Sequence, residues 1–313
     1  MKKTVLIFGI SSFVGANLAE ILKDEYRVIG TYHHTPVESP GILCVPCDVL
    51  KKEMVGYLLS RFRPDFTIYA VGLSSLRDCQ LHPRLADSLN TQGAINCSNA
   101  SERVESKFIF LSSCFVLGGE NVAYKEGDSP FPLNVFGQTM SATEFQIQRT
   151  NFNYLMFRCS ALYGRSFNHV HTNWFEALQS AFAKGEPVHA DGSVHSGFLD
   201  VDLLGKVLKA VLASDVVNRM FHISSRDSLT RYDFARLYAR IFKKDEALIQ
   251  KISGVFPLDG KKVKDVDPSS LYYQLDVTNL QNFLSIELPT VEESLLHTQK
   301  RLGSSGKSSS QTP

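Results

Sequence analysis

The chain has 313 residues, a net charge of +1 and 43% hydrophobic residues, enough to bury a sizeable core as one large domain or two fused lobes. Near-neutral charge without a basic block argues against nucleic acid as the main partner, and no apolar run approaches the length of a membrane span. Six cysteines scattered over this length do not form a disulfide framework, so a reducing cytoplasm is expected.

Val5 to Phe8 is a short apolar run, the pattern of a strand buried on both faces. Gly9 follows as a tight turn, and Val14, Leu18, Ile21 and Leu22 then share one helical face. Strand, glycine turn and helix aim free backbone N–H groups at a phosphate. A dinucleotide fingerprint has three glycines, and Ser12 stands in the middle position. The stretch therefore reads equally as a nucleotide cradle or as a plain buried β-turn-α unit.

A second strand over 26–32 ends in Tyr32, His33 and His34, with no acid. A carboxylate there would hold a ribose 2′-hydroxyl, so its absence leans towards NADP over NAD, beside the plain reading of two solvated histidines. In the third strand, within 42–49, Cys44 and Cys47 form a C-x-x-C pair with no second pair, which reads as coincidence. Asp48 ends that strand, placed to accept from an adenine amino group. A helix over 50–62 and a fourth strand over 66–71 follow. The helix expected over 83–102 buries Leu85, Leu89, Ile95 and Ala100 and carries Asn90 mid-way. A fifth strand over 107–111 ends in Ser112, Ser113, Cys114 and Phe115. Strands alternating with helices imply an α/β fold, a doubly wound parallel sheet with its ligand at the carboxyl ends of the strands.

The motifs at 9–15, 47–49, 63–68, 89–93, 110–116, 132–137, 158–164, 198–202 and 267–276 occur in one order. In that order they resemble the extended short-chain dehydrogenase/reductases, and within them the dTDP-4-dehydrorhamnose reductases and the regulatory β subunits of methionine adenosyltransferase. The resemblance implies a Rossmann-type NAD(P)-binding domain over 1–164 and a smaller substrate lobe over 165–302, interleaved with the end of the sheet. The remainder, 303–313, reads as a flexible tail. It further implies NADP or NAD as cofactor, a nucleotide sugar as ligand, and a protein partner or a second copy of the chain. At the dinucleotide it places Gly9, Ser11, Ser12, Phe13, Val14, Tyr32, His33, His34, Asp48, Val49, Ala70, Val71, Gly72 and Asn90. At the substrate it places Ser74, Cys114, Asn168 and Trp174.

Hydride transfer in that family uses a tyrosine as proton donor, a lysine four residues later that lowers its pKa, and a serine or threonine that polarises the carbonyl. Ser113 matches the third role, but Phe136 stands at the tyrosine position and Met140 at the lysine position. Neither side chain has a proton to give. Pro132, Leu133, Asn134, Gly137, Thr139 and Glu144 keep the surrounding frame, so the standard reductase site reads as broken. Tyr124 and Lys125 lack the four-residue spacing. Cys114, His169 and His171 are the groups that can replace the acid, and each reads as well as a core thiol or a loop polar group. Trp174 is either a core anchor or a stacking surface for a base. Three readings follow: a dinucleotide or nucleotide-sugar binder without hydride chemistry, an NADPH-dependent reductase with a substitute acid, and a structural pseudoenzyme with no cofactor.

Overall fold

The structure is a computed structural model that describes residues 2–167, 173–252 and 270–305. Asn168, His169 and His171 lie outside the described residues, as does 306–313 of the expected tail.

The first half runs β1 (Thr4–Phe8), α1 (Phe13–Leu22), β2 (Arg27–Tyr32), β3 (Leu43–Pro46), α2 (Lys52–Phe62) and β4 (Phe66–Tyr69). Next come α3 (Leu76–Leu81), α4 (Pro83–Ala86), a π-helical turn (Asp87–Gly93), α5 (Ala94–Arg103) and β5 (Lys107–Ser113). Then follow β6 (Ala123–Tyr124), α6 (Val135–Thr150), β7 (Tyr154–Cys159) and β8 (Ala161–Tyr163). The second half contributes α7 (Trp174–Lys184), β9 (Val188–Asp191), β10 (Val194–Ser196), β11 (Phe198–Asp200), α8 (Val201–Leu212) and β12 (Arg219–Ile223). It closes with α9 (Arg231–Phe242), β13 (Ile249–Ile252), β14 (Leu271–Leu275), α10 (Thr278–Leu284) and α11 (Val291–Ser305). The tail expected from 303 thus begins as the last turn of α11.

Seven parallel strands form the main sheet in the order β12-β7-β5-β4-β1-β2-β3. Strand order reverses between β1 and β4, the switch point over which such sheets bind ligands. Side chains alternate in period two: Leu6, Phe8, Phe108, Phe110 and Met156 pack on one face, and Val5, Ile7, Ile109, Leu155 and Phe157 on the other. β12 returns from the second half of the chain to the sheet's edge. A third apolar cluster around Tyr163, Phe175, Phe198 and Phe234 joins β8, α7, β11 and α9. Thr230 caps α9 by accepting from Asp233 N–H, and Phe234 and Leu237 are buried.

One helix departs from its expected face. The π turn widens the helix by about one residue per turn, so the 3.6-residue period loses phase there. Ala86, Asn90, Ala94, Cys97 and Ala100 face inward, while Leu85, expected in the core, is 48% exposed. Leu89 and Ile95 are only half-buried.

On the α6 side of the sheet a buried ion pair joins helix to strand. Arg158 on β7 donates from Nη2 to Glu144 Oε2 at 2.8 Å and from Nε to Oε1 at 3.0 Å. Ser112 Oγ, on β5, donates to the same carboxylate at 2.6 Å. Removing one partner leaves a buried uncompensated charge. Glu144→Ala should therefore cost about 3–5 kcal/mol in a urea titration, whereas Lys206→Ala, which breaks a surface pair with Asp202, should cost at most about 1 kcal/mol.

Beside Arg158, and in register with it, His222 on β12 is fully buried. Its Nδ1 lies 3.2 Å from Tyr124 O and donates to it. Burial pushes its pKa down to about 4, against a smaller upward pull from Glu126. A histidine depressed in this way is neutral in the fold and takes up its proton more readily when unfolded. Its contribution is complete above the ordinary imidazole range and is lost as pH falls from about 6.5 towards 4. Denaturation midpoints of the wild type should drop between pH 7 and pH 5 by more than those of His222→Gln; parallel drops would refute the assignment.

Candidate functional site

The turn after β1 is built for close approach. Gly9 has φ +94°, and a Cβ there would lie 2.8 Å from Ala70 O and 2.9 Å from Val71 Cγ2, so only glycine fits. Its N–H donates to Thr31 O at 3.1 Å, which ties the turn to the end of β2. A Cβ on Gly15 would sit 2.2 Å from Gly9 O, so that glycine lets α1 press onto the turn. Ser12, in the middle glycine's place, is the N-cap of α1: its Oγ accepts from Gly15 N at 2.9 Å. The serine satisfies one donor of the helix's first turn, and the N–H groups of Phe13 and Val14 lie outside the intrahelical ladder. Ser11, Ser12, Phe13 and Val14 are all half-buried around this opening.

The ends of β2 and β4 flank it. Tyr32 is half-buried, whereas His33 and His34 are exposed with ring centroids 3.7 Å apart. His33 Nε2 lies 3.8 Å from Asp48 Oδ2, while Asp48 Oδ1 accepts from Leu50 N at 3.0 Å. Val49 is buried against Gly93, and its carbonyl accepts from Asn96. Ala70 and Val71 lie at the turn itself; Gly72 and Ser74 are exposed just beyond.

Asn90 is fully buried, and its amide is committed to the fold. Oδ1 accepts from Leu73 N at 2.8 Å, and Nδ2 donates to Leu73 O and to Thr139 Oγ1, both at 3.0 Å. It clamps the β4 turn to α6. No sequence signal points to its partners, because Leu73 and Thr139 lie 17 and 49 residues away.

At the end of β5, Ser113 Oγ accepts from Phe115 N at 3.2 Å and caps a single 3₁₀ turn, Cys114–Val116. α6 presses directly on that turn: a Cβ on Gly137 would lie 1.9 Å from Phe115 O. Phe136 and Met140, one helical turn apart on α6, are each 7% exposed and share an apolar cluster with Cys114. The rings of Phe136 and Phe115 meet edge to face at 6.2 Å. Of the candidate replacement acids, Cys114 lies within the described residues, and it is shut in. Cys114 is 1% exposed, and burial pushes its thiol up to about 12. Tyr124 donates to Glu120 Oε2 and accepts from Glu120 N, and burial lifts its hydroxyl to about 12.

In the other lobe Trp174 packs edge to face on Phe198 and Phe234, with ring centroids 5.7 and 5.1 Å away. Its Nε1–H donates to Leu162 O at 3.0 Å, the bonding of a core anchor. A cleft of about 650 Å³ beside α6 is lined by neither Ser113 nor Trp174. Among the described residues no group of three or more His, Cys, Asp or Glu side chains is placed to hold a metal, and no helix is long and apolar enough to cross a membrane.

The model of the RmlD substrate binding domain matches residues 1–303. The chain belongs to this family. Among curated relatives of this RmlD-type chain, the probable low-salt glycan biosynthesis reductase Agl14 of Haloferax volcanii is 24% identical, over 92% of this chain and 95% of its own. The dTDP-4-dehydrorhamnose reductase of Aggregatibacter actinomycetemcomitans is 26% identical, over 81% of this chain and 82% of its own. Subunit beta of methionine adenosyltransferase 2 from Bos taurus is 23% identical, over 66% and 63%. The solved dTDP-4-dehydrorhamnose reductase of Bacillus anthracis, in complex with NADP, superposes with a TM-score of 0.80 at 20% identity, covering 96% of this chain and 99% of that one. The RmlD-type chain therefore has the Rossmann-type fold that its motifs imply.

The state of Cys114 is open to direct measurement. Under native conditions near pH 8 it should resist a maleimide reagent and react at full rate once the protein is unfolded; rapid native labelling, mapped by mass spectrometry, would return it to the list of acids.

Proposed function

We propose that this chain is an NAD(P)-binding member of the reductase family in which Phe136 and Met140 replace the proton-donating tyrosine and its lysine, leaving a dinucleotide or nucleotide-sugar binder without standard hydride chemistry. The observation that carries this reading is the side of α6 facing Ser113's turn: two apolar side chains in the core, with Cys114 and Tyr124 both buried and raised to about 12. Loss of a general acid alone removes about 10²–10⁴ in rate.

The residues at the switch point fit a dinucleotide. The tight turn at Gly9, the N–H groups at the start of α1 and the exposed histidines beside Asp48 suit a pyrophosphate and an adenosine. Gly9, Ser11, Ser12, Phe13 and Val14 would hold the phosphates; Tyr32, His33, His34, Asp48 and Val49 the adenosine end; and Ala70, Val71 and Gly72 the far ribose, with Asn90 positioning that turn. When bound, a nicotinamide supplies a hydride donor or acceptor. Ser113 would polarise a carbonyl oxygen, and no neighbouring side chain on α6 would give that oxygen a proton. NADP is preferred over NAD in this reading, because β2 ends without a carboxylate.

A second reading, an active NADPH-dependent nucleotide-sugar reductase with a substitute acid, draws on the reductase names of the relatives. With Cys114 and Tyr124 sequestered, that acid would come from the segment of Asn168, His169 and His171. A protein partner or a second copy of the chain suits the first reading, as does a place in the cytoplasm.

Calorimetric titration should find NADP⁺ or NADPH binding. The wild type should turn over dTDP-4-keto sugars with NADPH at least about 10²-fold more slowly than a reductase with the full pair. Phe136→Tyr with Met140→Lys should recover turnover, while either single change should not, because an unpaired tyrosine keeps a pKa near 10. Brisk wild-type turnover overturns the first reading in favour of the second, and no binding of any dinucleotide overturns both.

A further inference from the structure

The stretch from Val28 to Leu50 holds no lysine or arginine, so its two imidazoles, His33 and His34, are the side chains there that can take positive charge. They stand at the carboxyl end of β2, next to the Gly9 turn, because β1, β2 and β3 are adjacent parallel strands. Cys47 N–H donates to Tyr32 O at 2.7 Å, which holds the ends of β2 and β3 level and brings Asp48 alongside His33.

Three side chains meet at that edge. The rings of His33 and His34 lie 3.7 Å apart between centroids, tilted by 42°. His33 Nε2 faces Asp48 Oδ2 at 3.8 Å, while Asp48 Oδ1 accepts from Leu50 N at 3.0 Å. The His33 side chain is 53% exposed and His34 is exposed too, so solvent and ligand reach the pair.

Charge decides what such a group accepts. With both imidazoles neutral, the carboxylate of Asp48 is uncompensated and repels an anion. A protonated imidazole balances that carboxylate and has only donors to offer. Two positive rings this close repel each other, and a dianion beside them offsets that repulsion. The neighbouring segments add Glu38 on the loop after β2 and Lys51, Lys52 and Glu53 at the start of α2, all exposed. Histidine alone among these residue types has its ordinary range between pH 5 and 8, so the pair is the part whose charge changes near neutrality.

We propose that His33, His34 and Asp48 make the choice between NADP and NAD depend on pH. The protonated pair donates to the ribose 2′-phosphate; with the pair neutral, Asp48 turns that phosphate away. NAD carries no charge at this oxygen and is held alike in both states. The proposal rests on the dinucleotide reading of the site and adds its regulation. Binding of NADP is thereby coupled to uptake of a proton from solvent by the imidazoles. The gain ends near pH 6, where a phosphate monoester takes up its own second proton.

The test is calorimetric titration of the full chain with NADP⁺ and with NAD⁺ in phosphate-free buffers. NADP⁺ should bind about tenfold more tightly at pH 6.5 than at pH 8, the span over which an ordinary imidazole gains its proton, and NAD⁺ should change by less than about twofold. Near pH 7, buffers of different ionisation enthalpy should reveal proton uptake with NADP⁺ and none with NAD⁺. His33→Gln combined with His34→Gln, at two exposed positions, should melt like the wild type and flatten the NADP⁺ profile. Parallel profiles for the two dinucleotides overturn the proposal and leave the dinucleotide reading standing. An NADP⁺ profile that the double variant keeps does the same. No binding of either dinucleotide at any pH removes the proposal together with that reading.

Discussion

The carboxylate of Glu144 is the contact on which the rest of this site depends. It lies buried between Arg158 of β7 and Ser112 of β5, so one helix is pinned to two neighbouring strands at their carboxyl ends. Charge-assisted bonds of fixed geometry set both the height and the rotation of α6. Apolar packing alone is not directional and would tolerate a slide. With the rotation set, Gly137 meets Phe115 O, Thr139 meets Asn90, and Phe136 and Met140 turn inward. The same rotation leaves Gln138, Phe145 and Gln148 on the opposite side, as the wall of a cleft.

The two ends of the crevice differ in chemistry. At the Gly9 end, glycines let the turn pack against Ala70 and let α1 press onto the turn, and the first N–H groups of α1 lie outside its hydrogen-bond ladder. Ser12 caps that helix and thereby rigidifies the turn. At the Ser113 end, the helix presents thioether and phenyl carbons, and Cys114 and Tyr124 are buried in states that hold their protons. Binding and proton transfer need different things from a protein, an approach of backbone in one case and a tuned acid in the other. In the proposed reading the first is met at the Gly9 turn and the second is not met beside Ser113.

Asn90 and Leu85 mark where period-based reading fails. An asparagine in mid-helix looks like a ligand contact, yet its amide joins Leu73 to Thr139 and is fully used. Leu85 looks like core by an α-helical count, yet a π turn two residues on shifts the phase and leaves it exposed. Trp174 reads two ways in the sequence, and the lobe's aromatic cluster takes it as an anchor.

The sequence by itself determined the strand and helix order, the parallel sheet with its switch point, the glycine turn, and the residue types at 113, 136 and 140. All of these follow from local periodicity and from chemistry that a single residue carries. Only the tertiary structure decided which face of α6 meets the sheet, that Glu144, Arg158 and Ser112 form one unit, and that Cys114 and Tyr124 are sealed from solvent. Such facts depend on burial and on partners far apart in the chain. The energy of a buried charge or thiol is set by what surrounds it, and those surroundings exist only once distant segments have packed.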